Sequence, residues 1–124
     1  FSPVLASPEL QEAYTRSRYK TENAKVEFVI GAPTRLRGAV LGAWNPGSRW
    51  QSEYRNRKRD QRLLRKLGGQ YYQSMWGGTD AWWERHFWVP GLTFQRANRL
   101  ASAMEQKAFL FLNGKHVLLI WCYT

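Results

Sequence analysis

The chain has 124 residues, 44% of them hydrophobic and 15% aromatic, which predicts a single packed globular domain over residues 1–124. No apolar run approaches the roughly 20 residues of a membrane-spanning helix, and no charged-then-apolar leader precedes Phe1, so we expect a soluble, cytoplasmic protein. The 19 Lys and Arg against 9 Asp and Glu give a net charge of +10, which favours a polyanionic partner. The lone Cys122 excludes an intramolecular disulfide and is expected to be a small core residue.

Residues 1–38 are predicted to form a helix and then a strand. Ser7-Pro8 is typical of a helix cap followed by proline at the first helical position, and this helix is expected to end near Tyr19. Residues 25–30 alternate apolar and polar side chains, which predicts a half-buried strand.

The apolar run 39–44 predicts a buried strand that stops at Asn45, where Pro46-Gly47 begins a loop. Ser52 is a suitable cap for the following helix, and Gly68-Gly69 would end it. The apolar stripe of this helix, traced back from Leu67, places Asn56 and Asp60 on the inward face.

Two aromatic strands are predicted at 71–76 and 83–89, with Gly77-Gly78-Thr79-Asp80 as the turn between them. Thr93 then caps a helix with apolar side chains at helical spacing, and strands 109–112 and 117–123 flank an Asn113-Gly114 hairpin turn. The buried side chains expected on that helix are Phe94, Ala97, Leu100, Ala101 and Met104.

From residue 39 onward the order is strand, helix, strand, strand, helix, strand, which is the split β-α-β pattern of ferredoxin-like folds. We therefore expect an α+β domain with a ferredoxin-like core over 39–124. The helix and strand of residues 1–38 and a trailing C-terminal strand would extend its antiparallel sheet. In this topology the first core strand lies between the third and the fourth and runs antiparallel to both.

That strand arrangement brings several polar residues to one edge of the sheet. Asn45 ends the first core strand, Glu84 begins the third, and Gln106 and Lys107 precede the fourth. Asn56 lies in the first turns of the helix that starts from the same edge. The topology therefore predicts a polar cluster there.

The same positions resemble an uncharacterised bacterial family known only as a domain of unknown function. Its pattern of Ala-aromatic-Asn-Pro, an Asn-rich helix start, Glu-x-Ser-Phe and Gly-Gln-x-Ala is similar to four stations here: Ala43-Trp44-Asn45-Pro46, Asn56, Glu84-Arg85-His86-Phe87 and Glu105-Gln106-Lys107-Ala108. His86 replaces the serine of that pattern, and Glu105 replaces its first glycine. The resemblance implies that Asn45, Glu84 and Gln106 belong together, but it implies no activity.

The cluster has the chemistry of a small polar site. Glu84 and, two residues later on the same strand face, His86 are candidate catalytic acid or base groups. Asn45, Asn56 and Gln106 could orient a polar ligand, and Arg57 or Arg55 its anionic part. The alternative is structural, with Glu84 binding Asn45 and fixing the loop before Pro46.

Other site chemistries find little support in the sequence. Two His residues and one Cys lack metal-ligand spacing, and no acidic cluster suggests a hard-ion site, so no metal is expected. No cofactor motif or paired nucleophile is recognised either, and the double glycines are interpreted as turns.

A polyanion site is predicted on the helix after residue 52, where basic residues are dense. The alternative is an ordinary solvated helix face. Aromatic side chains of the strands, Tyr72, Trp76, Trp83 or Trp88, could also stack nucleic-acid bases. The candidate phosphate contacts are Arg49, Arg55, Lys58, Arg59, Arg62, Arg65 and Lys66.

The preferred function is therefore a binding module for a polyanion such as nucleic acid. One alternative is a small enzyme or a protein that binds a phosphorylated metabolite through Asn45, Glu84 and Gln106. The other is a regulatory module that docks an acidic protein. Whether the protein is an enzyme is left open, with a preference against it.

Overall fold

A computed structural model describes residues 14–23, 25–79 and 82–122. In the described residues, seven strands form one antiparallel sheet in the order β2-β1-β4-β5-β3-β6-β7. Two α-helices and a short 3-10 turn, Pro46–Ser48, accompany the sheet. The strands are β1 (Arg18–Lys20), β2 (Glu27–Val29), β3 (Arg37–Gly42), β4 (Gln73–Thr79), β5 (Trp82–Pro90), β6 (Ala108–Asn113) and β7 (Val117–Trp121), and the helices are α1 (Glu53–Leu67) and α2 (Phe94–Ala103).

Strand β3 is the central element of the architecture. It pairs antiparallel with β5 on one side and with β6 on the other, as the sequence predicted for the first core strand. Its side chains at Ala39, Val40 and Leu41 are fully buried, because both faces of the strand are covered. The mixed α and β composition of the predicted domain is confirmed.

The sheet curls until its two edge strands nearly meet. The chain that follows β2 is hydrogen-bonded to the start of β7, with Gly31 N donating to Val117 O at 2.8 Å and Val117 N donating to Ala32 O at 3.0 Å. The concave face then encloses its own apolar cluster, as the inside of a barrel does. This inner cluster consists of Tyr19, Phe28, Val40, Met75, Trp88, Leu110, Leu112 and Val117.

The two helices cover the opposite, convex face of the sheet. Leu63 and Leu67 of α1 and Ala97 and Ala101 of α2 pack there in one cluster with alternate residues of β3 and β5. Cys122 belongs to this cluster and is buried, as predicted. The strands therefore separate two apolar layers.

The predicted ends of α1 and the predicted N-terminal cap of α2 are confirmed. Ser52 Oγ accepts from Arg55 N, Gly68 adopts the left-handed conformation at the end of α1, and Thr93 caps α2 by accepting from Arg96 N. Arg96 of α2 donates to the Lys66 and Leu67 carbonyls. Its guanidinium thereby gives hydrogen bonds to carbonyls at the end of α1, which have no partner within the helix. Phe94 of α2 remains partly exposed.

The N-terminal helix was predicted to end near Tyr19, and this is wrong. Residues 14–16 are helical, but Tyr19 lies in β1, paired with Phe28 and Gly77. The buried Tyr19 ring needs the space that Gly77 leaves, because a Cβ there would collide with the ring. The predicted start at Ser7-Pro8 lies outside the described residues.

The predicted turn at Gly77-Gly78-Thr79-Asp80 is wrong in its first three residues. Gly77 and Gly78 lie within β4 and pair with Glu84 and Trp83. They are glycines because neighbouring groups come too close for a side chain, not because the chain reverses there. Asp80 lies outside the described residues.

None of the helices among the described residues is long and apolar enough to cross a membrane.

Candidate functional site

Asn45 is placed by the loop that ends β3. Its backbone is left-handed, with φ 48°, a conformation that asparagine tolerates better than most residues. Its side-chain Nδ2 donates to Glu84 Oε2 at 2.7 Å, and its Oδ1 accepts from Gln51 N at 2.7 Å. Asn45 therefore links the end of β3 to the start of β5 and fixes the loop that leads to α1.

Asn56 holds Asn45 from the first turns of α1. Its Oδ1 accepts from Asn45 N at 2.9 Å, and its Nδ2 donates to Asn45 Oδ1 at 3.2 Å and to Gln51 O at 3.3 Å. Both asparagines are buried, at 6% and 3% exposure. The inward position that the sequence predicted for Asn56 is therefore used to brace the loop.

Glu84 receives two hydrogen bonds on one carboxylate oxygen. Besides Asn45, the Trp82 indole donates to its Oε2 at 2.8 Å. Within the described part of the chain, its other oxygen, Oε1, has no hydrogen bond. Glu84 lies opposite Gly77 across the β4–β5 ladder, so the position of β4 directly opposite it carries no side chain. One carboxylate oxygen thus has a structural role, and the other is available to a ligand.

His86 lies one step deeper on the same strand face. Its Nδ1 is 3.0 Å from Glu84 O, and a carbonyl can only accept, so we assign the ring proton to Nδ1. Burial lowers the pKa of His86, and the nearby Glu84 carboxylate only partly offsets that effect. The imidazole is accordingly neutral near pH 7, and Nε2 is a hydrogen-bond acceptor.

Gln106 is oriented by two carbonyls. Its Nε2 donates to Trp44 O at 3.0 Å and to Met104 O at 3.2 Å, so its Oε1 faces away from the backbone. That Oε1 would be 3.3 Å from a Cβ on Gly42, and His86 Nε2 would be 2.8 Å from it. Two acceptors therefore border the space that Gly42 leaves open.

These groups line a cavity of about 250 Å³ at the mouth of the curled sheet. Its walls combine Asn45, Glu84, His86 and Gln106 with hydroxyl groups and with Lys107. Tyr14 and Ser48, both in the lining, are joined through their hydroxyl oxygens at 2.8 Å. Of the predicted cluster, Asn45, Glu84, His86 and Gln106 line this one cavity, and Asn45 and Glu84 are hydrogen-bonded to each other.

Sequence reasoning missed Gly42, Trp82 and Gln51, which respectively make room, bind Glu84 and hold the Asn45 side chain. Gly42 was the detectable one, since an isolated glycine in an apolar strand signals a close approach. Gln51 uses only its backbone, which no side-chain pattern reveals.

Asp60 forms a second buried polar contact behind the site. Its Oδ2 accepts from the Trp44 indole at 2.9 Å, whereas its Oδ1 has no hydrogen-bond partner within the described residues. Burial raises the pKa of Asp60 to about 6, against the opposing effects of the Trp44 hydrogen bond and the Arg85 charge. The charged form of Asp60 therefore destabilises the fold near neutral pH. Asp60 does not line the cavity.

Arg57, predicted to bind the anionic part of a ligand, does not line this cavity. It forms an exposed ion pair with Glu53 at 2.8 Å, one turn earlier on α1. Arg55 is exposed on the same helix. Asn56, also predicted as a ligand contact, lies behind Asn45 and is absent from the lining of the 250 Å³ cavity.

The basic residues of α1 fall into two groups. Arg59 is only 12% exposed and donates to the carbonyls of Ala43, at 2.6 Å, and Met104, so its guanidinium joins α1 to the ends of β3 and α2. Arg49, before the helix, is exposed. The remaining basic side chains of the helix are exposed: Arg55, Arg57, Lys58, Arg62, Arg65 and Lys66.

The strand aromatics do not form a common stacking surface. Trp88 is 5% exposed, lies inside the curled sheet against Phe28, and is inaccessible to a base, so its predicted stacking role is wrong. Trp76 packs edge-on against Trp44 and beneath the Arg85 guanidinium. Tyr72 is partly exposed at the edge of Phe87.

No three His, Cys, Asp or Glu side chains in the described ranges approach closely enough to hold a metal ion. Nothing in the cavity lining favours a cation cage, since Glu84 is its one carboxylate among the described residues.

Comparison with known proteins matched the chain to a family model. The model of a family described as "Protein of unknown function (DUF3293)" matches residues 41–109, more than half of the chain. The matched range includes every cavity residue from Trp44 to Gln106 discussed above. Neither the curated proteins nor the solved structures gave a match.

Proposed function

We propose that this chain, which belongs to the DUF3293 family of unknown function, binds a small molecule in the cavity at the mouth of its curled sheet. The ligand we propose is one that presents N–H donors, such as an amine, amide or amidine. The observation that carries the proposal is that Glu84, His86 and Gln106 line one cavity, and that Glu84 Oε1, His86 Nε2 and Gln106 Oε1 make no hydrogen bond among the described residues.

The hydrogen-bonding role of those atoms supports a ligand with N–H donors. The hydrogen bonds already made by Glu84, His86 and Gln106 use the other polar atom of each side chain, so the atoms left for a ligand are acceptors. Each of these acceptors can take an N–H group of a ligand as its donor. A ligand that carries only acceptors would repel all three.

Glu84 and His86 also carry the chemistry of a proton acceptor. A neutral imidazole with an open Nε2, beside a carboxylate with an open oxygen, is suited to take a proton from a bound ligand. We extend the proposal to this role as a candidate catalytic pair, to be tested by turnover of any ligand that binds.

A matched pair of probes tests the ligand class. We expect NMR saturation transfer from the protein to benzamidine, which has N–H donors, and none to benzoate, which has the same ring with acceptors. Glu84→Gln and Gln106→Leu should each weaken benzamidine binding about tenfold, the equivalent of one lost hydrogen bond. Glu53→Gln, the same substitution outside this cavity, should leave it unchanged. Equal binding of benzoate, or unaltered binding by both cavity variants, would refute the proposal.

A second candidate function is binding of a polyanion by α1. Six exposed basic side chains on one helix of a chain with net charge +10 support it. Nucleic acid is the partner we propose. An acidic protein surface or a phosphorylated metabolite would be attracted by the same basic side chains. Fluorescence anisotropy of labelled RNA and DNA over a salt series tests it, because several phosphate contacts give a steep loss of affinity with salt.

We also interpret the core as ferredoxin-like. The spatial order β4-β5-β3-β6, with one helix after β3 and another after β5, supports that assignment.

A further inference from the structure

A second cavity, of about 310 Å³, lies on the other side of the hydrogen-bonded Asn45 and Glu84 side chains. Four indoles contribute to its lining, and two of them, Trp50 and Trp82, are 72% and 51% exposed. Large exposed indoles are uncommon on a surface without a binding role. The indoles are Trp44, Trp50, Trp82 and Trp83.

The charge of this lining is opposite to that of the protein. Glu53 and Glu84 are its charged members among the described residues, although the chain carries a net charge of +10. The indole faces add the negative side of their quadrupole, which attracts cations. Trp83 already shows that attraction, since the Lys20 ammonium lies 4.7 Å from its ring centroid. The complementary ligand is therefore a cation.

Several polar atoms of the lining already have hydrogen-bond partners in the protein. The Asn45 and Asn56 side chains bond to each other and to the Gln51 backbone, Glu84 Oε2 accepts from Trp82, and Glu53 Oε1 accepts from Arg57. A primary ammonium needs acceptors for three N–H groups, and the oxygens that make these bonds are not free to supply them. A quaternary ammonium needs none, because its methyl groups contact the indoles while its charge stays near the carboxylates.

We propose that this Trp-lined cavity binds a small quaternary ammonium compound. The site is distinct in chemistry from the first cavity, whose acceptors call for N–H donors, and it is independent of that proposed function. The two share Trp44, Asn45, Trp82 and Glu84 as a wall, so variants that separate them must lie elsewhere.

Choline and 3,3-dimethylbutan-1-ol, which have the same shape but differ in charge, are the decisive probes. We expect NMR saturation transfer to the choline methyl groups, with about tenfold weaker binding of the neutral alcohol and of ethanolamine, the unmethylated amine. Trp50→Leu should reduce choline affinity about fivefold or more, whereas Tyr71→Leu, at another exposed aromatic residue, should not change it.

Trp50 is exposed enough for its variant to fold, which thermal melting would verify. Gln106→Leu, which alters only the first cavity, should leave choline binding intact, so the failure of one site is distinguishable from that of the other. The proposal is overturned by no choline binding up to roughly 50 mM, a range that includes weak sites. Binding of the alcohol or ethanolamine as tight as that of choline, or unchanged binding by folded Trp50→Leu, also overturns it.

Discussion

Gly42 and His86 face each other across the β3–β5 ladder, and a Cβ on Gly42 would lie 2.8 Å from His86 Nε2. Real Cβ atoms are essentially never that close to another heavy atom, so the glycine is what leaves the imidazole its place. The position of the His86 imidazole next to Gln106 therefore depends on a single missing methyl group.

Gly42→Ala should accordingly destabilise the fold by about 1–3 kcal/mol, because the added methyl overpacks a strand that is buried on both faces. It should also abolish ligand binding in the first cavity. Chemical denaturation and NMR ligand titration measure the two effects. Adding His86→Ala to Gly42→Ala should restore part of the lost stability, since the methyl then has room. If the stability changes of the two substitutions simply add, the contact between the new methyl group and His86 is not the cause of the loss of stability.

The backbone and the side chain of Asn45 can be tested separately. Asn45→Gly keeps the left-handed conformation without strain and loses the hydrogen bonds to Glu84 and Gln51, while Asn45→Ala loses the same bonds and adds strain. We expect Asn45→Ala to be less stable than Asn45→Gly by about 1 kcal/mol, and both to be less stable than the parent. Urea denaturation gives the comparison. Equal stability of the two variants would show that the left-handed backbone at position 45 does not affect stability.

Asp60 should make stability fall as pH rises. Its pKa is about 6 when folded and near 3.8 when unfolded, so between these values the folded state binds more protons than the unfolded state. The free energy of unfolding then decreases from about pH 4 to about pH 6, by roughly 3 kcal/mol in all. Asp60→Asn keeps an oxygen that can accept from Trp44, so its free energy of unfolding should not show this decrease. It should equal that of the parent only at the low-pH end of the range.

Denaturation of both proteins across that pH range measures the difference. Glu22→Gln is a suitable control, because Glu22 is an exposed carboxylate. Parallel curves for the parent and Asp60→Asn would contradict the assignment of the pH dependence to Asp60.

Arg59 and Arg62 should have opposite effects although they are three residues apart on α1. Arg59→Met removes hydrogen bonds to the Ala43 and Met104 carbonyls and should cost about 2 kcal/mol of stability, without changing any salt-dependent affinity for nucleic acid. Arg62→Met, on the exposed face, should cost less than about 0.5 kcal/mol and weaken such binding. Thermal melting and fluorescence anisotropy together separate the two roles.

Much of the local structure was determined by the sequence itself. Ser52, Gly68 and Thr93 mark helix ends because capping depends on residues within one turn, and the turn at Asn113-Gly114 likewise needs no distant partner. The order of strands and helices also placed Asn45 near Glu84, because antiparallel pairing sets which strand ends meet.

Contacts between residues distant in sequence decided the rest. Gly77 and Gly78 have the composition of a turn, but they pair with β5, and a Cβ would collide with Tyr19 and His86 at Gly77 and with the Trp82 carbonyl at Gly78. Arg59 cannot be told from Arg62 by charge, since the carbonyls that bind it come from β3 and α2. His86 Nε2 and Gln106 Oε1 are left for a ligand because the other polar atom of each side chain, Nδ1 and Nε2, bonds to a backbone carbonyl. Tertiary packing alone fixes which carbonyl that is.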